Sequence, residues 1–170
     1  VPMKSIPKNL IFRTIKQLSI RFCDTEDVSE LSDSESEIID LSGNNIRYFS
    51  PVSLPFTRKL YLAENPISEF LTKTPSLRGL DISETMIEDI SILNNHPFVY
   101  ALKANKSKLR RLPVLPNLSV LELMETRIIS DINIKVKAPH PYMNTIFNIS
   151  PKKTPLNVFL DKDYLGYLVI

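Results

Sequence analysis

The chain has 170 residues, of which 43% are hydrophobic and 24% charged, with a formal net charge of +2. These proportions fit one folded, soluble unit or one elongated array. A charge this small gives no argument for nucleic acid as a partner, and no apolar run reaches the roughly 18 residues that a membrane-spanning helix needs.

The first residues, Val1-Pro2-Met3-Lys4-Ser5, lack the apolar centre of a signal peptide, and without Met at position 1 the chain reads as an excised or processed piece. Residues 1–14 carry two prolines and scattered apolar side chains. Ile6, Leu10, Ile11 and Phe12 are expected to cap the open end of whatever follows. The single cysteine, Cys23, precludes an intrachain disulfide. A reducing, cytoplasmic setting is therefore expected, the alternative being a secreted protein acting in a host cytosol.

From residue 17 the chain repeats itself. Gln17–Thr25 (QLSIRFCDT) is followed by Ile38–Ile46 (IIDLSGNNI), Lys59–Ile67 (KLYLAENPI), Gly79–Ile87 (GLDISETMI), Ala101–Leu109 (ALKANKSKL) and Val120–Ile128 (VLELMETRI). The first apolar anchors, Leu18, Ile39, Leu60, Leu80, Leu102 and Leu121, are spaced by 21, 21, 20, 22 and 19 residues. Six copies at so even a period are the signature of a solenoid. Two apolar residues two apart place both side chains on one face of a short strand, and the residues between them on the other.

The pattern Ile15-x-x-Leu18-x-Ile20-x-x-Cys23, and its copies, resembles the leucine-rich repeat, of the short class with about 19–22 residues per repeat. The resemblance implies an α/β fold. Its form is a right-handed solenoid of six to seven coils over residues 15–137, with a parallel concave sheet and a mostly 3₁₀ or irregular convex side. It also implies an inward ladder of polar side chains, here Cys23, Asn44, Asn65, Thr85, Ser107 and Thr126, hydrogen-bonded to backbone groups of adjacent coils. The phrasing of Leu109–Leu123 (LRRLPVLPNLSVLEL) is similar to the repeats of secreted bacterial effectors.

Between the copies, Asp24–Asp40 holds eight acidic residues among alternating serines, expected to form a solvated outer loop. A second apolar beat, Ile46/Phe49, Ile67/Phe70, Ile87/Ile90 and Leu109/Leu112, has the spacing of one helical turn. Prolines 51, 55, 75, 97, 113 and 116 argue against long helices there, so 3₁₀ turns and extended segments are expected. Beyond Ile128 the alternation Ile132-x-Ile134-x-Val136 reads as one more strand. Residues 138–170 are expected to form a C-terminal cap or to begin a further segment.

No constellation for catalysis emerges. His96 and His140 both adjoin prolines and lack metal-ligand spacing, and three glycines, Gly43, Gly79 and Gly166, build no phosphate loop. Neither an enzyme, a cofactor nor a metal is expected. What the repeat supplies is a surface: the outward residues form a row Ser19, Asp40, Tyr61, Asp81, Lys103 and Glu122, with Glu64, Glu84, Lys106 and Met124 beside it. Asp40, Tyr61, Glu64, Asp81, Glu84, Lys103, Lys106, Glu122 and Met124 are the candidate partner-binding residues, because an aromatic among charges of both signs can anchor and select a protein. The expected function is non-catalytic protein recognition through the concave face. The alternatives are the substrate-recognition part of a larger protein, such as a bacterial effector, and an RNA-associated module using Lys103, Lys106, Lys108, Arg110 and Arg111. Acidic columns beside that basic block make RNA the weaker alternative.

Overall fold

The structure, a computed structural model, describes residues 2–7, 15–32, 34–49, 51, 53–128, 132–134, 146–150, 158–160 and 167–169. They contain ten strands: β1 (Gln17–Ser19), β2 (Ile38–Asp40), β3 (Lys59–Tyr61), β4 (Gly79–Asp81), β5 (Ala101–Lys103), β6 (Val120–Met124), β7 (Ile132–Ile134), β8 (Ile146–Ser150), β9 (Val158–Leu160) and β10 (Tyr167–Val169). Eight form one sheet in the order β1-β2-β3-β4-β5-β6-β8-β10, while β7 and β9 pair separately. Every pairing is parallel. Parallel neighbours require a crossover, and between β1 and β6 each crossover is one coil of backbone without an α-helix. The architecture is a parallel β-solenoid.

Its register follows the sequence repeat. Leu18, Ile39, Leu60, Leu80, Leu102 and Leu121 stand opposite one another, so six rungs bound five turns. These anchors and a second inward row, Ile20, Leu41, Leu62, Ile82, Ala104 and Leu123, are buried. Together with Ile46, Phe49, Ile67, Phe70, Ile87, Ile90 and Leu109 they make one core running along the array. Phe49 and Phe70 stack with ring centroids 5.9 Å apart, tying two successive coils.

On the side away from the sheet one expectation is corrected and another is met in part. No α-helix occurs among the described residues, so the helical half of an α/β class is missing; only 3₁₀ turns at Ser29–Leu31 and Ser91–Leu93 are present. The second apolar beat is buried, apart from the half-buried Leu112, but it lies in bends and extended backbone rather than in a helical turn. An interval of three residues fits both geometries, and the neighbouring prolines remove the donors a helix needs. The acidic stretch is solvated as expected at Asp24, Glu26, Asp27 and Glu30, whereas Ser34 and Ser36 are buried. Asp33 lies outside the described residues. Ser36 Oγ donates to the Ile15 carbonyl (2.6 Å) and Thr57 Oγ1 to the Ser36 carbonyl (2.9 Å), a hydroxyl ladder at the strand starts.

The inward polar ladder has two grades. Asn44 Nδ2 donates to the carbonyls of Ile20 (2.7 Å) and Leu41 (2.8 Å), and its Oδ1 accepts the N–H groups of Cys23 (2.9 Å) and Thr25 (3.1 Å). Asn65 repeats this one coil on, donating to Leu41 and Leu62 and accepting from Ile46. Thr85, Ser107 and Thr126 each donate to the carbonyl three residues back, and Ser107 Oγ also accepts from Leu109 N–H (3.4 Å), all within their own coil. A hydroxyl has one proton to donate where an amide has two, and these short side chains spend theirs within their own coil.

One residue before each ladder position the backbone is left-handed: Phe22, Gly43, Glu64, Glu84, Lys106 and Glu125 have φ between 52° and 70°. The N–H of each of the first five donates to the next coil, as in Gly43 to Ala63 and Lys106 to Met124, and the positive φ then turns the chain inward. Only at Gly43 is a glycine required for space as well, because a Cβ there would run into the Phe22 ring.

At the ends, Met3 N–H donates to the Cys23 carbonyl, Lys4 accepts from Glu26 and Asp27, and Ile6 is buried on the first coil. Leu10, Ile11 and Phe12 of the expected N-terminal cap lie outside the described residues. Ile132–Ile134 is a strand, yet it pairs with β9; the rung after β6 is β8, in register over five residues. Alternation tells which way side chains point and is silent about which strand is the neighbour. Val136 lies outside the described residues.

Candidate functional site

Strand alternation puts two rows on the solvent face of the sheet. The row between the anchors is in register as Ser19, Asp40, Tyr61, Asp81, Lys103, Glu122 and Asn148. The row before them is Gln17, Ile38, Lys59, Gly79, Ala101 and Val120. Asp40, Tyr61, Asp81, Lys103, Glu122 and Met124 are half-buried, while Glu64, Glu84 and Lys106 are exposed on the left-handed turns beside them. All nine sequence candidates therefore lie on this face or its margin.

Many of the charges on this face bind each other. Lys103 Nζ lies 2.9 Å from Glu122 Oε1, and Glu122 Oε2 accepts from Asn105 Nδ2 at 2.9 Å. Lys106 pairs with Glu84 (3.2 Å), Arg21 with Asp40 (3.4 Å) and Arg110 with Glu88 (3.0 Å). Three members of the basic block thus carry carboxylate partners from neighbouring coils. The hydrogen bond from Lys103 to Glu122, with lesser help from Asp81, holds the Lys103 ammonium above its ordinary pKa of 10.5. Lys106 is shifted in the same direction by Glu84. Because the protonated form of Lys103 is favoured in the folded chain, this pair stabilises the fold from neutral pH up to 10.5, and its contribution is lost as pH rises through the higher folded value. The melting temperatures of the chain and of Lys103→Met are accordingly expected to differ from pH 7 to 10 and to converge above about pH 11; a difference independent of pH contradicts the pair.

The backbone behind the row separates Tyr61 from its neighbours. Two residues after each outward position an N–H lies outside the backbone ladder, and side chains on the face cap it in most coils. Asp40 accepts from Ser42 N–H (3.0 Å) and Asp81 from Ser83 N–H (2.9 Å). Ser83 Oγ accepts from Asn105 N–H (3.2 Å), and Asn105 Oδ1 from Met124 N–H (2.9 Å). In the third coil Tyr61 stands where Asp40 and Asp81 stand in theirs, followed by Ala63, whose N–H has no acceptor among the described residues. Tyr61 is therefore the one aromatic of the row, beside an open backbone donor. Gly79, diagonal to Tyr61 on the next strand, and Ala101 one strand beyond leave low ground on one side of the ring. These two small residues are absent from the sequence-derived candidates, although the two-residue period places them on the same face.

Other reactive groups have structural roles. Cys23 Sγ lies 3.1 Å from the Arg21 carbonyl in its ladder position. His96 Nε2 lies 2.8 Å from the Thr74 carbonyl and Nδ1 accepts from Phe98 N–H (3.3 Å), so the ring joins two coils. His140 lies outside the described residues. Among the described residues no group of His, Cys, Asp and Glu could hold a metal ion, and no helix is long and apolar enough to cross a membrane.

Compared by sequence with models of known protein families and with curated proteins, the chain matches none. The class defined by the coordinates is a parallel β-solenoid with repeats of about 21 residues.

Proposed function

We propose that this chain is a leucine-rich-repeat solenoid that recognises another protein, without catalysis, through the solvent face of its sheet. The observation that carries the reading is the third coil: Tyr61 replaces the Asp that caps the backbone in coils 2 and 4, leaving the Ala63 N–H open beside a half-exposed ring. A phenol with an apolar body and a polar tip, next to an unsatisfied donor and the Asp81 carboxylate, is a contact point for a peptide backbone or side chain. Around it the ion pairs Lys103–Glu122 and Arg21–Asp40 hold their side chains in place, which lowers the entropy lost on binding. The same pairing counts against an RNA surface, since phosphates would have to displace carboxylates from Lys103, Lys106 and Arg110.

Replacing Tyr61 with Ala is expected to weaken capture of a protein partner at least tenfold, the range of an interface anchor, and to leave the cooperative unfolding transition in place. Affinity capture with both chains from one extract reads the first effect and a thermal melt the second. A partner retained equally by both chains removes Tyr61 from the site, and a collapse of the fold shows that the ring serves the core.

A further inference from the structure

We propose that a groove on the outer flank of the third to fifth coils is a second docking surface, separate from the sheet, for a short peptide segment carrying one Lys or Arg beside an apolar side chain. The groove has a volume of about 530 Å³ and is walled by Glu69, Leu71, Met86, Glu88, Asp89 and Lys108. Its apolar floor is a departure from the repeat. Where Leu71 stands, 70% exposed, the equivalent positions hold Ser29, Ser50, Ser91 and Pro113; where Met86 stands, 43% exposed, they hold Asp24, Asn45, Pro66, Lys108 and Arg127. Prolines aside, Leu71 and Met86 are the apolar side chains at these positions in the first five coils, both are exposed, and both line one groove.

The rim gives the occupant its sign. Glu69 and Asp89 form no ion pair with a described residue, whereas Glu88 is taken by Arg110 at 3.0 Å. The Asp89 carboxylate is held by the Ser91 N–H (2.7 Å) and Ser91 Oγ (3.1 Å), which keeps its direction without cancelling its charge. Two fixed or open carboxylates above an apolar floor suit a cation on an aliphatic stem, the stem lying on Leu71 and Met86. Lys108, at the Met86 position one coil on, adds one positive charge to the lining against the two carboxylates of Glu69 and Asp89.

The test is a titration of the isotope-labelled full chain with the peptide acetyl-Gly-Leu-Lys-Leu-Gly-amide and with the same peptide bearing Glu for Lys, followed by amide chemical shifts. The expected result is saturable shifts confined to residues 68–71, 86–89 and 108 with the Lys peptide only. Glu69→Lys and Leu71→Ser, both at exposed positions, are each expected to weaken binding about fivefold, and Tyr61→Ala to leave it unchanged. Equal shifts with the Glu peptide, shifts centred on the sheet face, loss of binding in Tyr61→Ala, or no saturable shift up to about 5 mM peptide would each overturn the proposal. Because the groove and the sheet face carry different reporters, failure of one leaves the other to be judged by its own variant.

Discussion

Replacing Asn44 with Ala is expected to lower the unfolding free energy by roughly 3–5 kcal/mol, more than any other polar substitution in the ladder. The amide satisfies two carbonyls and two N–H groups at once, on two coils: Ile20, Leu41, Cys23 and Thr25. Asn44 is buried, so water cannot stand in for it, and each orphaned backbone group adds its own desolvation cost. Thr85→Ala is the control. It removes a single bond, to the Ile82 carbonyl, and is expected to cost only about 1 kcal/mol. Denaturant titration of the two variants reads the contrast, and equal losses would show that the Asn ladder does not bridge coils.

Leu80→Ala is expected to cost roughly 2–5 kcal/mol, as deletion of a buried anchor that leaves a cavity between two rungs. Leu80 stands opposite Leu60 on one side and Leu102 on the other, with 2% of its surface exposed. Its chain neighbour Asp81 points the opposite way, and Asp81→Ala is expected to cost no more than about 1.5 kcal/mol for its one hydrogen bond to Ser83 N–H. A near-neutral Leu80→Ala would contradict the register on which every outward residue has been placed.

That register was legible because burial imposes it. A strand shifted by one residue would turn Ile39 and Leu41 to water and Asp40 inward, so the apolar anchors alone place Asp40, Tyr61 and Asp81 outside. The site residues were legible to the same extent, as a row. What could not be read was how they are used. Whether Lys103 is free or bound to Glu122 depends on side-chain directions across a gap of 19 residues in the chain. The significance of Tyr61 became visible only when Asp40 and Asp81 were seen to cap N–H groups. The left-handed turns were hidden for a related reason. Glycine marks such a position only at Gly43, while Glu64, Glu84 and Lys106 adopt the same conformation because cross-coil hydrogen bonds impose it. The pairing of β7 with β9 was out of reach for alternation, which carries no information on partners.

The most direct test of recognition through the sheet face is hydroxyl-radical footprinting of the chain with a captured protein partner. Tyr61 and Met124 lie on the face, Tyr48 is 74% exposed away from the strands, and Met86 lines the flank groove, so four oxidisable side chains report on three surfaces. Binding through the face predicts that Tyr61 and Met124 are protected in the complex while Tyr48 oxidises as in the free chain. Protection of Tyr48 or Met86 with Tyr61 and Met124 unchanged would contradict it.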